Sequence, residues 1–153
     1  MMTREAALAL RRLPGNTPWE SALIHRWLLD YGEFYRGFDF NVRIGTAIDP
    51  GPDVHPTIRA GSIANTQKRI DCLAWSVGGA TIVEGKIVVD IRVYGQFEGY
   101  RHIVERDFPD TPILGYAVVA HTSTPDSVQF LRSKGVAVYL YPDIGAPEPG
   151  LAR

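Results

Sequence analysis

The stretch from Arg69 to Ile87 constrains this chain more than any other. Two apolar runs rich in β-forming residues flank Gly78-Gly79, and a Gly pair is one of the few dipeptides that supply the positive φ angles of a two-residue hairpin turn. The stretch therefore predicts a β-hairpin. With Val77 paired to Ala80, Leu73 falls opposite Glu84 and Asp71 opposite Lys86, and the side-chain period of two puts Asp71, Glu84 and Lys86 on one face. Asp71 and Glu84 become diagonal neighbours, roughly 7 Å apart at the backbone, a separation that carboxylate oxygens on one hard divalent cation can span. Three ionisable groups on a face otherwise made of Leu73, Trp75, Val77 and Ile82 need a reason to be there, because burying a lone charge is costly. A metal site supplies one reason. A cross-strand Asp71–Lys86 ion pair at a wet end of the hairpin, with Glu84 solvated, supplies another.

A chain of 153 residues fits one domain and can bury a sizeable core. No run reaches the length of a membrane span and the N-terminal stretch lacks the apolar core of a signal peptide, so a cytoplasmic protein without a membrane partner is expected. The single Cys72 excludes an intramolecular disulfide and a cysteine-based zinc site. Beside Asp71 on a strand, it should face the opposite, packed side. A net charge of −1, from 16 basic and 17 acidic residues, creates no overall field towards nucleic acid. Any such affinity must come from a local patch, for which Arg59, Lys68, Arg69, Arg92 and Arg101 are the candidates.

Thr3 to Leu13 is helix-prone, and Pro14-Gly15-Asn16 ends it. Thr17-Pro18-Trp19-Glu20 has the N-cap, N1 and N3 residues of a capping box, opening a helix that Gly32 stops. Phe38 to Ile44 alternates, apolar at 38, 40, 42 and 44, and reads as a half-buried strand. Thr46 to Asn65, with three prolines, reads as a long loop or irregular strand carrying His55 as an ordinary loop residue. After the hairpin, Asp90 to Phe108 is helical, with Val93, Phe97, Tyr100 and Val104 on one face. Gly95 and Gly99 lie inside it, and their spacing of four suggests close helix–sheet packing, with approach of a phosphate backbone as the rival reading. Ile113 to Ala120 is a central strand, Thr124 to Leu131 a helix ended by Lys134-Gly135, and Val136 to Tyr141 a strand joined by a parallel crossover. The Pro- and Gly-rich tail, residues 142–153, reads as peripheral or disordered.

The acidic residues follow the order of elements in a telling way. Glu20 lies in the helix that the capping box opens, Asp71 on the first hairpin strand, Glu84-Gly85-Lys86 on the second, and Gln96 and Tyr100 on the next helix. This set resembles the PD-(D/E)XK nuclease superfamily, over roughly residues 15–141. Ile70 stands where the signature has Pro. The resemblance implies an α/β, restriction-endonuclease-like core: a mixed β-sheet flanked by helices, in the order αβββαβ plus a further helix and strand. It also implies a nuclease acting on DNA rather than RNA, with Mg²⁺ or Mn²⁺ bound by Asp71, Glu84, the Gly85 carbonyl and Glu20. Lys86 would orient the attacking water, Gln96 would contact the nucleic acid or that water, and two copies would pair as a homodimer to cut two strands.

Each role has a plainer counterpart. Glu20, at N3 of a capping box, already has a partner in the N-cap amide. Gln96 can be an exposed helix residue and Tyr100 a core one, while His25, His102 and His121 have no partner at a catalytic spacing. Arg43 and Lys68 are either phosphate contacts or solvated side chains. The function that follows is a metal-dependent nuclease, and the alternative is a catalytically silent member of the fold serving as a nucleic-acid-binding or assembly module.

Overall fold

A computed structural model of the chain describes residues 1–145, so most of the tail expected to be peripheral, residues 146–153, lies outside the described residues. The hairpin forms the second and third strands of a three-stranded antiparallel run. Strand β1 (Gly37–Ile44) pairs antiparallel with β2 (Lys68–Ser76), which pairs antiparallel with β3 (Gly79–Val89). Strands β4 (Ile113–Ser123) and β5 (Val136–Leu140) add in parallel, giving a five-stranded mixed sheet in the order β1-β2-β3-β4-β5. The class is α/β, with helices on both faces of the sheet.

Helix α1 (Arg4–Leu8) is shorter than its pattern suggests. The chain leaves it so that Leu13 can reach the core beside helix α2 (Pro18–Tyr31), where the Leu13 amide donates to Ser21 Oγ at 3.1 Å. The capping box that opens α2 forms as read: Thr17 Oγ1 accepts the Glu20 amide and Glu20 Oε2 accepts the Thr17 amide at 2.8 Å. Leu23, Ile24, Trp27 and Leu28 of α2 then pack on Phe38, Cys72, Ala74, Val83 and Val119. Cys72 is fully buried on this side, as expected. The other face of the sheet, with Leu73, Ile82, Val118 and Ala120, is covered by helix α4 (Arg92–Asp107) through Val93, Phe97 and Val104, and Phe97 stacks on Tyr116 at 4.9 Å. Helix α5 (Pro125–Ser133), capped by Thr124 and followed by Gly135 at φ +77°, links β4 to β5.

Four expectations are corrected. The stretch read as a loop holds helix α3 (Pro56–Thr66), for which His55 is the N-cap, its Nδ1 accepting the Thr57 amide at 3.3 Å. None of its residues is buried, so there was no apolar stripe to read, and its tethers are polar: Thr66 Oγ1 to the Ile48 amide, Gln67 Nε2 to the Gly45 carbonyl, and an Arg59–Asp49 ion pair. Second, β1 does not keep one face: Phe38 and Phe40 join the α2 core, whereas Val42 and Ile44 join the α4 core. Third, Gly95 and Gly99 do not pack against the sheet. A Cβ at either position would meet nothing within 4 Å, and both line an open groove of about 490 Å³ with Lys68, Gln96, Tyr100 and Ile103.

Fourth, the hairpin register is shifted by two residues from the predicted one: Ser76 faces Gly79, Trp75 faces Ala80 and Leu73 faces Ile82. The turn residues are Val77 and Gly78. Gly78 alone takes a positive φ, +87°, while Gly79 is needed for a different reason, because a Cβ there would come within 2.3 Å of the Pro112 carbonyl oxygen. A shift by two leaves the side chains of the paired residues, Cys72 to Ser76 and Gly79 to Val83, on their predicted faces. These two glycines make separable demands. Gly79→Ala is expected to destabilise the protein by about 1–3 kcal/mol through overpacking against backbone, whereas Gly78→Asn should cost less than about 1 kcal/mol because Asn tolerates positive φ. Urea denaturation midpoints will rank the two.

Candidate active site

The ladder between β2 and β3 runs from Ser76–Gly79 to Cys72–Val83 and then stops. At the next position, side chains replace backbone partners: the Asp71 amide donates to Glu84 Oε1 at 3.2 Å, and the Gly85 amide donates to Asp71 Oδ2 at 2.9 Å. Strand β3 stays paired with β4 as far as Val89. The sheet therefore forks at Asp71, and the two carboxyl groups occupy the fork, directly opposite one another instead of diagonal.

Glu84 is 1% exposed, with Val83 and Val118 as core neighbours in sequence and sheet register. Its Oε2 accepts from Gln96 Nε2 at 2.9 Å, and Lys86 Nζ lies 3.4 Å away. Lys86 therefore pairs with Glu84, and the expected Asp71–Lys86 pair is replaced, because the register shift moves Lys86 away from Asp71 along the ladder. With a third of its side chain exposed, Lys86 stands at the mouth of the site. Gln96 Nε2 also donates to Tyr100 Oη at 2.9 Å. Tyr100, assigned to the core by its helical spacing, is half-buried and forms the end of a Glu84–Gln96–Tyr100 relay; its place one turn beyond Gln96 was the signal for this.

Burial drives the electrostatics. The Glu84 carboxyl is pushed up to about 8, first by burial and then by the Asp71 charge, with Lys86 opposing. Asp71 is also raised, mainly by burial, against the Gly85 hydrogen bond. Two carboxyl groups this close in a low-dielectric fork hold one proton between them. Burial and the nearby Glu84 likewise push the Tyr100 phenol up to about 12, which keeps it protonated.

Glu20 is brought alongside, close enough that its charge helps to raise Asp71. Its Cβ and Cγ lie 3.3 and 3.4 Å from where a Gly85 Cβ would be, and its Oε2 is held by its own helix cap. A side chain at Gly85 would therefore press on α2, and Glu20 and Ile24 would have to give way by a few tenths of an ångström. Among the described residues no group of three or more His, Cys, Asp and Glu side chains is gathered to hold a metal. Asp71 and Glu84 are joined by direct hydrogen bonds across the fork, and Glu20, whose charge adds to the rise of Asp71, stands beside them. Two facing carboxyls are hard oxygen donors that a divalent cation would satisfy in place of their proton. That donor set fits Mg²⁺ or Mn²⁺, since Mg²⁺ ordinarily takes one or two carboxylates and keeps several waters.

The expected basic patch largely disappears. Arg59 pairs with Asp49, Arg92 with Asp90 and Arg101 with Glu105, while Arg69 donates to the Ala64 carbonyl. Lys68 lines the groove beside Gly95, and Gln96 borders both that groove and a second one of about 210 Å³ lined by Lys86, Asp90 and Arg92. His25 lies near the Ala7 carbonyl and His121 packs edge-on against Trp19, neither within the fork.

No protein-family model matches the chain, and no curated protein matches it. A crystal structure of a protein of unknown function, AF1548, is similar at a TM-score of 0.49 and 12% identity, covering 78% of this chain. The chain spans 56% of that protein's length.

The raised Glu84 carboxyl sets a pH dependence. Glu84 ionises near 4.5 when free of the fold and at about 8 within it, so the stability it contributes is complete below pH 4.5 and is lost as pH rises through 8. Cation-free protein is expected to lose on the order of 5 kcal/mol at most across that window. Glu84→Gln, which cannot ionise but sets its amide nitrogen against one of the two donors Glu84 accepts from, should flatten the slope, as read from a pH series of thermal melts.

Proposed function

We propose that this protein hydrolyses phosphodiester bonds in nucleic acid, with DNA preferred to RNA, in the manner of the PD-(D/E)XK superfamily that its acidic residues resemble. The restriction-endonuclease-like assignment of the mixed sheet belongs to the same proposal. One observation carries it: a buried Asp71–Glu84 pair at a fork in the sheet, with the Lys86 amine at its mouth. Two buried acids beside a single amine keep a proton between them, and a divalent cation is the partner that can take its place.

Asp71 and Glu84 would hold the divalent cation. Such a cation supplies positive charge to the phosphate oxygens and lowers the proton affinity of a water. The chain's own groups do the remainder. Lys86, exposed enough to meet solvent and anchored by Glu84, orients the attacking water and adds positive charge to the developing phosphorane. Gln96 fixes Glu84 Oε2, and Tyr100 accepts the other Gln96 hydrogen, so the acid keeps one orientation while substrate enters. The grooves on either side of Gln96 give a strand room to pass, with Lys68 in position for a flanking phosphate.

The silent-module reading draws support from Glu20, one of whose carboxylate oxygens is taken by the helix cap. Plasmid nicking with Mn²⁺ separates the two. The hydrolase should cut, and Asp71→Asn or Lys86→Ala should each lower the rate by at least about a hundredfold while melting within a few degrees of the native protein. A native protein that retards DNA on a gel at low salt yet leaves the plasmid intact would establish the silent module instead.

A further inference from the structure

The fork at Asp71 has a counterpart on the neighbouring strand. Ladder pairs Phe40–Cys72 and Val42–Ile70 place Asn41 level with Asp71, and that level itself is skipped. Asn41 has a φ of +55°, the one positive value at a non-Gly residue among the described residues. L-residues avoid this conformation, and Asn is among the few that tolerate it. The two faces of β1 exchange here, and β2 follows: Cys72 and Ala74 lie on the α2 side, whereas Ile70 lies on the α4 side.

Asn41 is also backed from outside the sheet. Gly15, at φ +76°, lies so close that a Cβ there would come within 2.3 Å of Asn41 Cγ. The turn that carries Gly15 is pinned: the Leu13 amide donates to Ser21 Oγ, the Asn16 amide to the Leu13 carbonyl at 3.3 Å, and Arg12 Nε to the Asn16 carbonyl at 2.7 Å. Leu13 and Asn16 are both buried. Directly after this turn the chain opens α2 and lays Glu20 over Gly85.

A regular residue at 41 would keep Phe38, Phe40, Val42 and Ile44 on one face by the period of two. Strand β2, paired with β1 on both sides of this level, would then keep Ile70 with Cys72, and its ladder to β3 would run on through Glu84. The gap that the two carboxyls fill would close. We infer that Asn41, held in a left-handed conformation against Gly15, is a positioning residue that turns β1 and β2 together and so opens the fork in which Asp71 and Glu84 meet. As a statement about catalysis this rests on the hydrolase reading; as a statement about geometry it is tested without substrate or cation.

The reporters are the two amides bound to carboxylates, those of Asp71 and Gly85, followed by hydrogen exchange in the cation-free protein with the Ala74 amide, in the intact ladder, as internal reference. Asn41→Gly keeps access to positive φ, and both amides should exchange within about threefold of their native rates. Asn41→Ala and Asn41→Val penalise that conformation, and both amides should exchange at least about fivefold faster relative to Ala74, with Val the larger effect. If Asn41→Val does not fold, Asn41→Ala decides. Unchanged exchange in a folded Ala or Val variant overturns the inference, and so does a Gly variant as fast as the Val variant. Mn²⁺ affinity by calorimetry is a second readout: it should fall at least about fivefold in Asn41→Ala and stay native in Asn41→Gly. A native protein that neither binds Mn²⁺ nor cuts DNA defeats the hydrolase reading alone, because the amide rates still judge the positioning role.

Discussion

Everything near the site depends on the hydrogen-bond exchange between Asp71 and Glu84. Each acid accepts an amide that a regular ladder would have satisfied with a carbonyl. Buried amides must be paired, so the acids cannot leave the fork without stranding two donors. The same bonds lower the cost of keeping the carboxyls out of water, and Gln96 and Lys86 lower it further. The site is thereby built into the backbone pairing of the sheet, and the chemistry-bearing side chains are as rigid as the strands that carry them.

Helix α2 shows how a local signal acquires a distant consequence. Its capping box starts the helix and engages Glu20 Oε2, and Ser21, in the first turn, holds the Leu13 amide of the turn that carries Gly15. The helix then packs over Gly85, the one residue between Glu84 and Lys86, and closes that side of the sheet. A short run of residues, Leu13 to Glu20, thus fixes the sheet from one face at two levels of the fork.

Much of this was legible in the chain. The hairpin, the capping box and α2, the parallel strands after α4, and the shared face of Asp71, Glu84 and Lys86 all follow from period, caps and turn residues. The register was not, because Gly78-Gly79 reads as a turn pair while Gly79 is there to accommodate the Pro112 carbonyl, a contact from a distant part of the chain. Strand β1 misled for a related reason: its alternation is regular in sequence, and only the conformation of Asn41 sends its halves to different cores. Tyr100 does pack against the α4 core as its spacing indicates, but helical spacing gives the face of a side chain and not its hydrogen bond to Gln96. Arginines such as Arg59, Arg92 and Arg101 looked free because their acidic partners are surface pairs whose geometry no sequence pattern fixes.

Helix α3 contributes nothing to either core and is fastened by side-chain bonds from Thr66 and Gln67, at its C-terminal end, to the segment that precedes it. Its insertion point, between the strand that carries Asn41 and the strand that begins with Lys68, is beside the groove along α4. A segment so placed can be lengthened, shortened or exchanged in evolution at little cost to the packed interior. Changes of length or sequence in this one interlude would therefore leave the scaffold that aligns the acids untouched.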